Sequence, residues 1–156
     1  MRTSLLAGCV NLWNTKVSRG SSGVHFRTQV HSNVEWLQIK DVIDEHSTVC
    51  IADNNLVIST DGNVDGVVTN VAKLPLVPYY GMEFTKAGSV VLIVGGETEG
   101  ISEEAYEFAC KRSGIRLNIP LAGRVDSLNT GVALGIIVFE MKRQLLRNVA
   151  SNVSVF

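Results

Sequence analysis

The sequence predicts an α/β fold, on three observations. An unbroken apolar run, Val90–Val94, stops at Gly95 and Gly96 and meets the carboxylate of Glu97. A second short run, residues 115–119, stops at Pro120. Asp126 and Ser127 then open a helix. Continuous apolar runs bounded by breakers suit strands buried on both faces. Paired glycines at a strand end let backbone N–H and C=O groups approach a ligand with no Cβ in the way. Two strand ends and a helix start can meet at one place, and open α/β sheets bind ligands beside such ends.

In sequence order, residues 3–7 read as a strand entering a turn at Gly8, and 14–18 as one or two helical turns. Residues 19–23, R-G-S-S-G, form a breaker-rich loop, and 25–30 a short strand. Residues 33–46 read as a helix capped by Asn33, with Trp36, Leu37, Ile39, Val42 and Ile43 on its inner face. Residues 48–52 make a buried strand ending at Asp53, a position that suits substrate contact but for which a turn role is expected ahead of it. Residues 54–73 show no clean period and predict loops with fragments of structure. Pro75 and Pro78 bar residues 74–80 from a central strand. Residues 102–112 form a helix. Ser102 caps it, Glu103 and Glu104 suit its first turn, and Gly114 ends it. The last helix runs from about residue 127 to 147, with Leu128, Val132, Ile136 and Phe139 at helical spacing. Gly131 and Gly135, four apart, permit a tight crossing. The polypeptide frays after Asn148, so one domain over residues 1–148 precedes a flexible tail at 149–156.

At 156 residues, 46% of them hydrophobic, the protein is long enough to bury its own core. The net charge is −1, but it is segregated. Residues 1–34 carry four basic residues and no acid, 35–110 carry 13 acids and 3 bases, and 111–156 carry 7 bases and 2 acids. A basic face and a chance grading of solvated charge both fit this distribution. Cys9, Cys50 and Cys110 are odd in number and far apart, with no zinc-ligand spacing, and read as inert thiols in a reducing compartment. No signal peptide is visible, and the late apolar run, residues 132–139, is too short to span a bilayer, so no membrane partner is expected. A G-x-G-x-x-G pattern, a P-loop and a Ser/His/Asp arrangement are all missing. What remains is a glycine-rich and apolar set whose recognition groups are on the backbone.

Residues 95–102, G-G-E-T-E-G-I-S, resemble the second motif of the SpoU/TrmH (SPOUT) class of RNA methyltransferases. Residues 118–133, N-I-P-L-A-G-R-V-D-S-L-N-T-G-V-A, resemble its third. Residues 5–27 resemble the segment after its first motif. The resemblance covers most of residues 5–145, weakest around 55–73, and points toward mitochondrial ribosomal RNA 2′-O-methyltransferases. It implies a mostly parallel sheet with helices on both faces and a C-terminal trefoil knot.

The resemblance further implies S-adenosylmethionine as cofactor, held in a bent shape by backbone groups at Gly95, Gly96, Ile119 and Leu128. Glu97, Ser127 and Asn129 match positions at the reaction centre. Ser127 and Asn129 would position the substrate or an arginine of the first motif, and Glu97 would orient that network. Alone, Glu97 would read as a solvated turn carboxylate and Ser127 as a helix cap. Lys16, Arg19, Ser21 and Arg27 are implied RNA contacts, where an ordinary surface turn is the plainer reading. A homodimer built on the last helix is implied, with Leu134, Ile137, Val138 and Met141 contributing. Ribosomal RNA is the expected partner ahead of transfer RNA, and the mitochondrion the expected compartment. The family's first motif, Asn-x-Gly-x-x-x-Arg, is expected ahead of Met1, which makes this polypeptide the later part of a catalytic domain. A catalytically silent RNA-binding or scaffold module, and a cofactor-binding protein with a small-molecule substrate, are the competing readings.

Overall fold

The computed structural model describes residues 2–6, 9, 11, 13–54, 66–96, 99–123 and 127–153. Glu97, the turn at Gly8, and residues 55–65 and 124–126 lie outside them. The protein forms two compact units, residues 1–45 and 46–156.

In the first unit, β1 (Arg2–Leu6) pairs in parallel with β2 (Gln29–Val34), with a register shift between Ser4 and Leu6. Between them lies α1 (Thr15–Gly20). The side chain of Asn14 caps it by accepting from the Lys16 N–H at 2.9 Å. A 3-10 turn, Val24–Arg27, follows, so the predicted strand begins only at Gln29. The helix predicted at 33–46 is corrected. Asn33 lies inside β2 with φ +54°, a left-handed conformation that Asn tolerates where a strand's register slips. Glu35 is the cap, in a reciprocal box with Gln38. The helical residues reduce to a 3-10 turn, Trp36–Gln38, and the single turn α2 (Ile39–Val42). Leu37, assigned to the inner face, is exposed. Pairing of Val34 with the distant Leu6 overrides the local helical period.

The second unit is built on β3 (Thr48–Ala52), α3 (Gly66–Lys73), β4 (Leu76–Pro78), β5 (Val90–Val94), α4 (Glu103–Lys111), β6 (Ile115–Asn118) and α5 (Thr130–Val153). Its four strands run parallel in the order β4-β6-β3-β5. Side chains alternate across β3. Val49 and Ile51 pack with Val71 and Leu74 and with Tyr106 and Ala109 of α4. Cys50 packs on the opposite face with Phe84, Leu117, Ile119 and Ile137 of α5. Helices therefore cover both faces of a parallel sheet, as predicted. The strand buried on both faces is β3, however, whose Val49, Cys50 and Ile51 are fully buried. Among the described residues β5 is an edge strand and only half-buried, because an apolar run does not encode a strand's place in its sheet. β4 forms the other edge, where proline's missing N–H costs no central ladder bond. Burial pushes the Cys50 thiol up to about 11 and leaves it inert, whereas Cys9 is exposed.

Helix α4 starts at the predicted cap, with Ser102 Oγ accepting from the Ala105 N–H. Its end is a Schellman turn. The Gly114 N–H donates to the Ala109 carbonyl at 2.8 Å, and the Ser113 N–H to Cys110 at 3.2 Å. The left-handed residue is Ser113, with φ +50°, not Gly114. Gly114 serves close approach, since a Cβ there would lie 3.0 Å from Ala109 and 3.1 Å from the Val49 carbonyl oxygen. Ser113→Gly is expected to raise stability by about 1 kcal/mol by relieving the left-handed penalty. An unchanged urea midpoint would count against this account of the turn.

Helix α5 begins at Thr130, not at 127, and continues past Asn148 to Val153. Ile137 is fully buried, and Ala133, Ile136 and Met141 pack beside it. Gln144 ties the helix to the 3-10 turn at Phe84–Lys86, accepting from the Phe84 N–H and donating to the Met82 carbonyl, both at 2.9 Å. Two parts of the predicted inner stripe are corrected. Val132 and Phe139 are exposed, because apolar residues occupy more than one face of this helix and period alone does not select between them. Nothing lies within 4 Å of a Cβ built on Gly135, so no tight crossing forms there. Among the described residues no helix is long and apolar enough to cross a membrane.

Candidate functional site

The carboxyl ends of β3, β5 and β6 open onto one cleft of about 430 Å³. Ala52 lines it at the end of β3 and Asp53 and Asn54 just beyond, Gly95 and Gly96 after β5, and Ile119 after β6. Ser127, Leu128, Thr130 and Ala133 close the side that leads into α5. Strand ends of parallel sheets concentrate ligand sites in this way. Gly95, Gly96, Ile119, Ser127 and Leu128, separated by up to 33 residues, thus meet at one place. Asn129 is adjacent in sequence but does not line the cleft. Its Oδ1 caps α5, accepting from the Gly131 N–H at 3.0 Å and the Val132 N–H at 3.3 Å. The cap expected at Ser127 therefore belongs to Asn129, and Ser127 is exposed at the cleft.

Why glycine occupies position 95 is plain from the turn beyond β5. The Gly96 N–H donates to the Gly100 carbonyl at 3.0 Å, and the Gly100 N–H returns to Gly96 at 3.2 Å. A Cβ on Gly95 would sit 2.5 Å from both atoms of the Gly100 backbone carbonyl. Gly96 faces open space, with nothing within 4 Å of its Cβ position. Thr130 Oγ1 donates to the Gly95 carbonyl at 3.3 Å, tying the start of α5 to the same turn.

Two lining residues, Asn54 and Tyr106, were not singled out from sequence, and a third, Asp53, was expected chiefly as a turn residue. Asn54 pairs with both backbone groups of Ile119: its Oδ1 accepts from the Ile119 N–H at 2.8 Å, and its Nδ2 donates to the carbonyl at 2.9 Å. The Ile119 N–H is thereby committed, and its carbonyl keeps a second lone pair toward a ligand. Asp53 does not serve merely as a turn residue. Its Oδ2 accepts from Tyr106 Oη and from Arg116 Nε, each at 2.8 Å. Only 8% of the Asp53 side chain and 3% of the Arg116 side chain are exposed. Arg116 Nη1 also donates to the Val71 carbonyl. Burial, reinforced by the bond to Asp53, pushes the Tyr106 phenol above its usual range. Arg116 in the middle of an apolar strand was the available signal, since a buried guanidinium requires an acid.

The implied RNA contacts lie in the first unit. Lys16 and Arg19 are exposed on α1, and Arg27 is exposed at the end of the 3-10 turn. The Ser21 hydroxyl is engaged locally, 2.9 Å from His25 Nδ1 and 3.3 Å from the Ser18 carbonyl.

Residues 3–139 match the SpoU rRNA Methylase family. The chain belongs to that family. Among relatives of this SpoU protein, rRNA methyltransferase 3A, mitochondrial, of Danio rerio is 37% identical over 93% of this sequence and 38% of its own length. The Homo sapiens rRNA methyltransferase 3, mitochondrial, is 32% identical over 90% of this sequence and 40% of its own. The SpoU protein thus spans about two fifths of the length of these relatives. The fold is that of the AdoMet-bound rRNA methyltransferase from Sinorhizobium meliloti, with a TM-score of 0.67 and 24% identity over 91% of this sequence and 45% of that one.

Proposed function

We propose that this protein methylates a ribose 2′-hydroxyl of RNA, with S-adenosylmethionine as donor. Ribosomal RNA is the substrate ahead of transfer RNA, and the mitochondrion the compartment, in line with the names of the Danio rerio and Homo sapiens relatives. The observation that carries this reading is the single cleft uniting Gly95, Gly96, Ile119, Ser127 and Leu128. Its volume of about 430 Å³ falls within the range of small-molecule sites, roughly 300–1,000 Å³. Apolar walls from Val94, Ile101, Leu117 and Leu128 suit a purine face, and the open space beside Gly96 lets a ligand come close to the turn.

When bound, S-adenosylmethionine supplies an electrophilic methyl group on a sulfonium centre. The residues of this protein have the remaining tasks. Backbone groups at Gly95, Gly96 and Leu128, with the second lone pair of the Ile119 carbonyl, orient the ligand. Ser127, at the exposed side of the cleft, positions the ribose hydroxyl, and Glu97 orients the polar network around it. Asn129 holds the start of α5 in place and so fixes Ser127 and Leu128. Placing a weak nucleophile in line with its target supplies much of the rate in such a transfer, and the hydroxyl proton must leave during attack.

Two finer features belong to the proposal. One is a C-terminal trefoil knot, supported by family membership and by the return of residues 127–133 to the tips of β5 and β6. The other is a homodimer through α5. Val132, Phe139, Leu146 and Val149 are exposed at spacings that put them on one helical face. Ile137 is fully buried in its own subunit and contributes to no interface. Phe139→Glu is expected to weaken self-association at least tenfold with little change in unfolding midpoint, as read by sedimentation. A wild-type protein monomeric at micromolar concentration would end the dimer proposal. Calorimetry with S-adenosylmethionine and transfer of a tritiated methyl group to RNA test the activity. Binding with transfer supports the enzyme, binding without transfer supports the silent scaffold, and absence of both removes the reading.

A further inference from the structure

We infer that residues 13–27 form a stacking platform for single-stranded RNA. Trp13 and Phe26 would hold an unpaired base, and Lys16, Arg19 and Arg27 the neighbouring phosphates. The inference rests on the RNA reading above and adds the form of RNA and the residues that grip it.

The rings of Trp13, His25 and Phe26 form one cluster. Ring centroids are 5.6 Å apart for Trp13 and His25, 5.7 Å for Trp13 and Phe26, and 4.2 Å for His25 and Phe26. Yet 68% of Trp13 and 71% of Phe26 are exposed. Rings this large, placed together and left in water, are a poor use of apolar area unless something covers them. The cluster is also held in place. The Ser21 hydroxyl lies 2.9 Å from His25 Nδ1, and the Phe26 N–H donates to the Gly23 carbonyl at 3.1 Å. Gly23, with φ +71°, leaves its Cβ position 3.5 Å from the Phe26 ring. The half-buried His25 packs against both exposed rings, and its Nε2 has no hydrogen-bond partner among the described residues.

Charge selects the occupant. Lys16, Arg19 and Arg27 are exposed within the same short segment, and residues 1–34 contain no acid. An apolar protein partner has no need of that excess. A polyanion with free aromatic faces uses both features, since phosphates are neutralised by the cations and bases stack on the rings. A duplex hides its base faces in its own stack, so only an unpaired stretch can use the rings.

The test is binding of a mixed-sequence RNA of about 12 nucleotides, a length typical of single-strand sites, to the full-length protein, alone and annealed to its complement. Trp13→Ala and Phe26→Ala are each expected to weaken single-strand binding about five- to hundredfold, the range for one lost base stack. Duplex binding should change by less than about twofold, because it rests on phosphates. Trp13→Phe should recover most of the loss, and single-strand RNA should quench Trp13 emission against a Trp36→Phe background. Lys16→Ala should weaken both forms and lower the salt slope by about one.

Equal losses for single strand and duplex would overturn the platform, as would unchanged single-strand affinity in both ring variants. Self-association that is abolished by Trp13→Ala, with no single-strand binding by the wild type, would assign the rings to a second copy and end the proposal. S-adenosylmethionine titration of the same samples separates the two readings. Ring-dependent RNA binding without cofactor binding sinks the methyltransferase and keeps the platform, and the converse sinks the platform alone.

Discussion

Arg116→Met is expected to destabilise the second unit by about 3–5 kcal/mol, the cost of leaving one partner of a buried ion pair uncompensated. Asp53 and Arg116 are almost wholly out of water, and Arg116 Nε and Tyr106 Oη both donate to the same carboxylate oxygen. Removing the guanidinium takes away the buried cation that donates to this carboxylate oxygen. The double variant Asp53→Asn, Arg116→Met removes both charges, keeps a polar partner for Tyr106, and should regain at least half of the loss. Because Asp53 and Tyr106 also line the cleft, the single variant should weaken cofactor binding as well. Urea unfolding of the two single variants and the double variant measures the coupling. A loss below about 1 kcal/mol for Arg116→Met would show that water reaches the pair and that the interaction is a surface one.

Gly95→Ala should remove cofactor binding, with a loss of at least tenfold by calorimetry and a destabilisation of about 1–3 kcal/mol. The added Cβ would stand 2.5 Å from both atoms of the Gly100 backbone carbonyl, and no side-chain rotation relieves a clash with backbone. The paired bonds between Gly96 and Gly100 must then open, and the Gly95 carbonyl held by Thr130 must shift. Gly96→Ala is the matched control. Nothing lies within 4 Å of its Cβ position, so stability should stay within about 0.5 kcal/mol. Its methyl group would instead intrude on the ligand's space and reduce affinity alone. Equal behaviour of the two variants would mean that the turn is soft and that glycine at 95 is incidental.

Most of the second unit was legible in local pattern. β3, β5, β6 and α4 are each marked by an apolar run or a helical period with a breaker or cap at its end, and all four form where predicted. Pro75 and Pro78 ruled out a central strand at 74–80, and the short strand that forms there, β4, lies at an edge. The residues misread are those whose partners are far away. Asp53 looks like a turn residue until Arg116, 63 positions later, is brought beside it. Asn54 has no visible task without Ile119. Residues 33–46 carry a passable helical stripe, but β1 recruits Val34 into a strand, and no window centred on the stripe contains β1. In α5 the apolar residues spread over more than one face, so the inward choice of Ile137 depended on the sheet beneath it. The cleft set of Gly95, Gly96, Ile119, Ser127 and Leu128 was reached through resemblance, since backbone recognition leaves almost no side-chain signature.

The bond from Asn54 to Ile119 spans 65 residues, and the strands of this sheet are all parallel. During translation at roughly 5–20 residues per second, the end of β3 therefore leaves the ribosome roughly 3–13 s before the segment that completes its side of the cleft. For that interval β3, the most deeply buried strand among the described residues, has nascent polypeptide on one side and nothing on the other. No hairpin can shelter it meanwhile, because parallel neighbours arrive only after a crossover. A chaperone acting on this polypeptide at birth would have its clearest task there, in the gap between synthesis of β3 and arrival of β6.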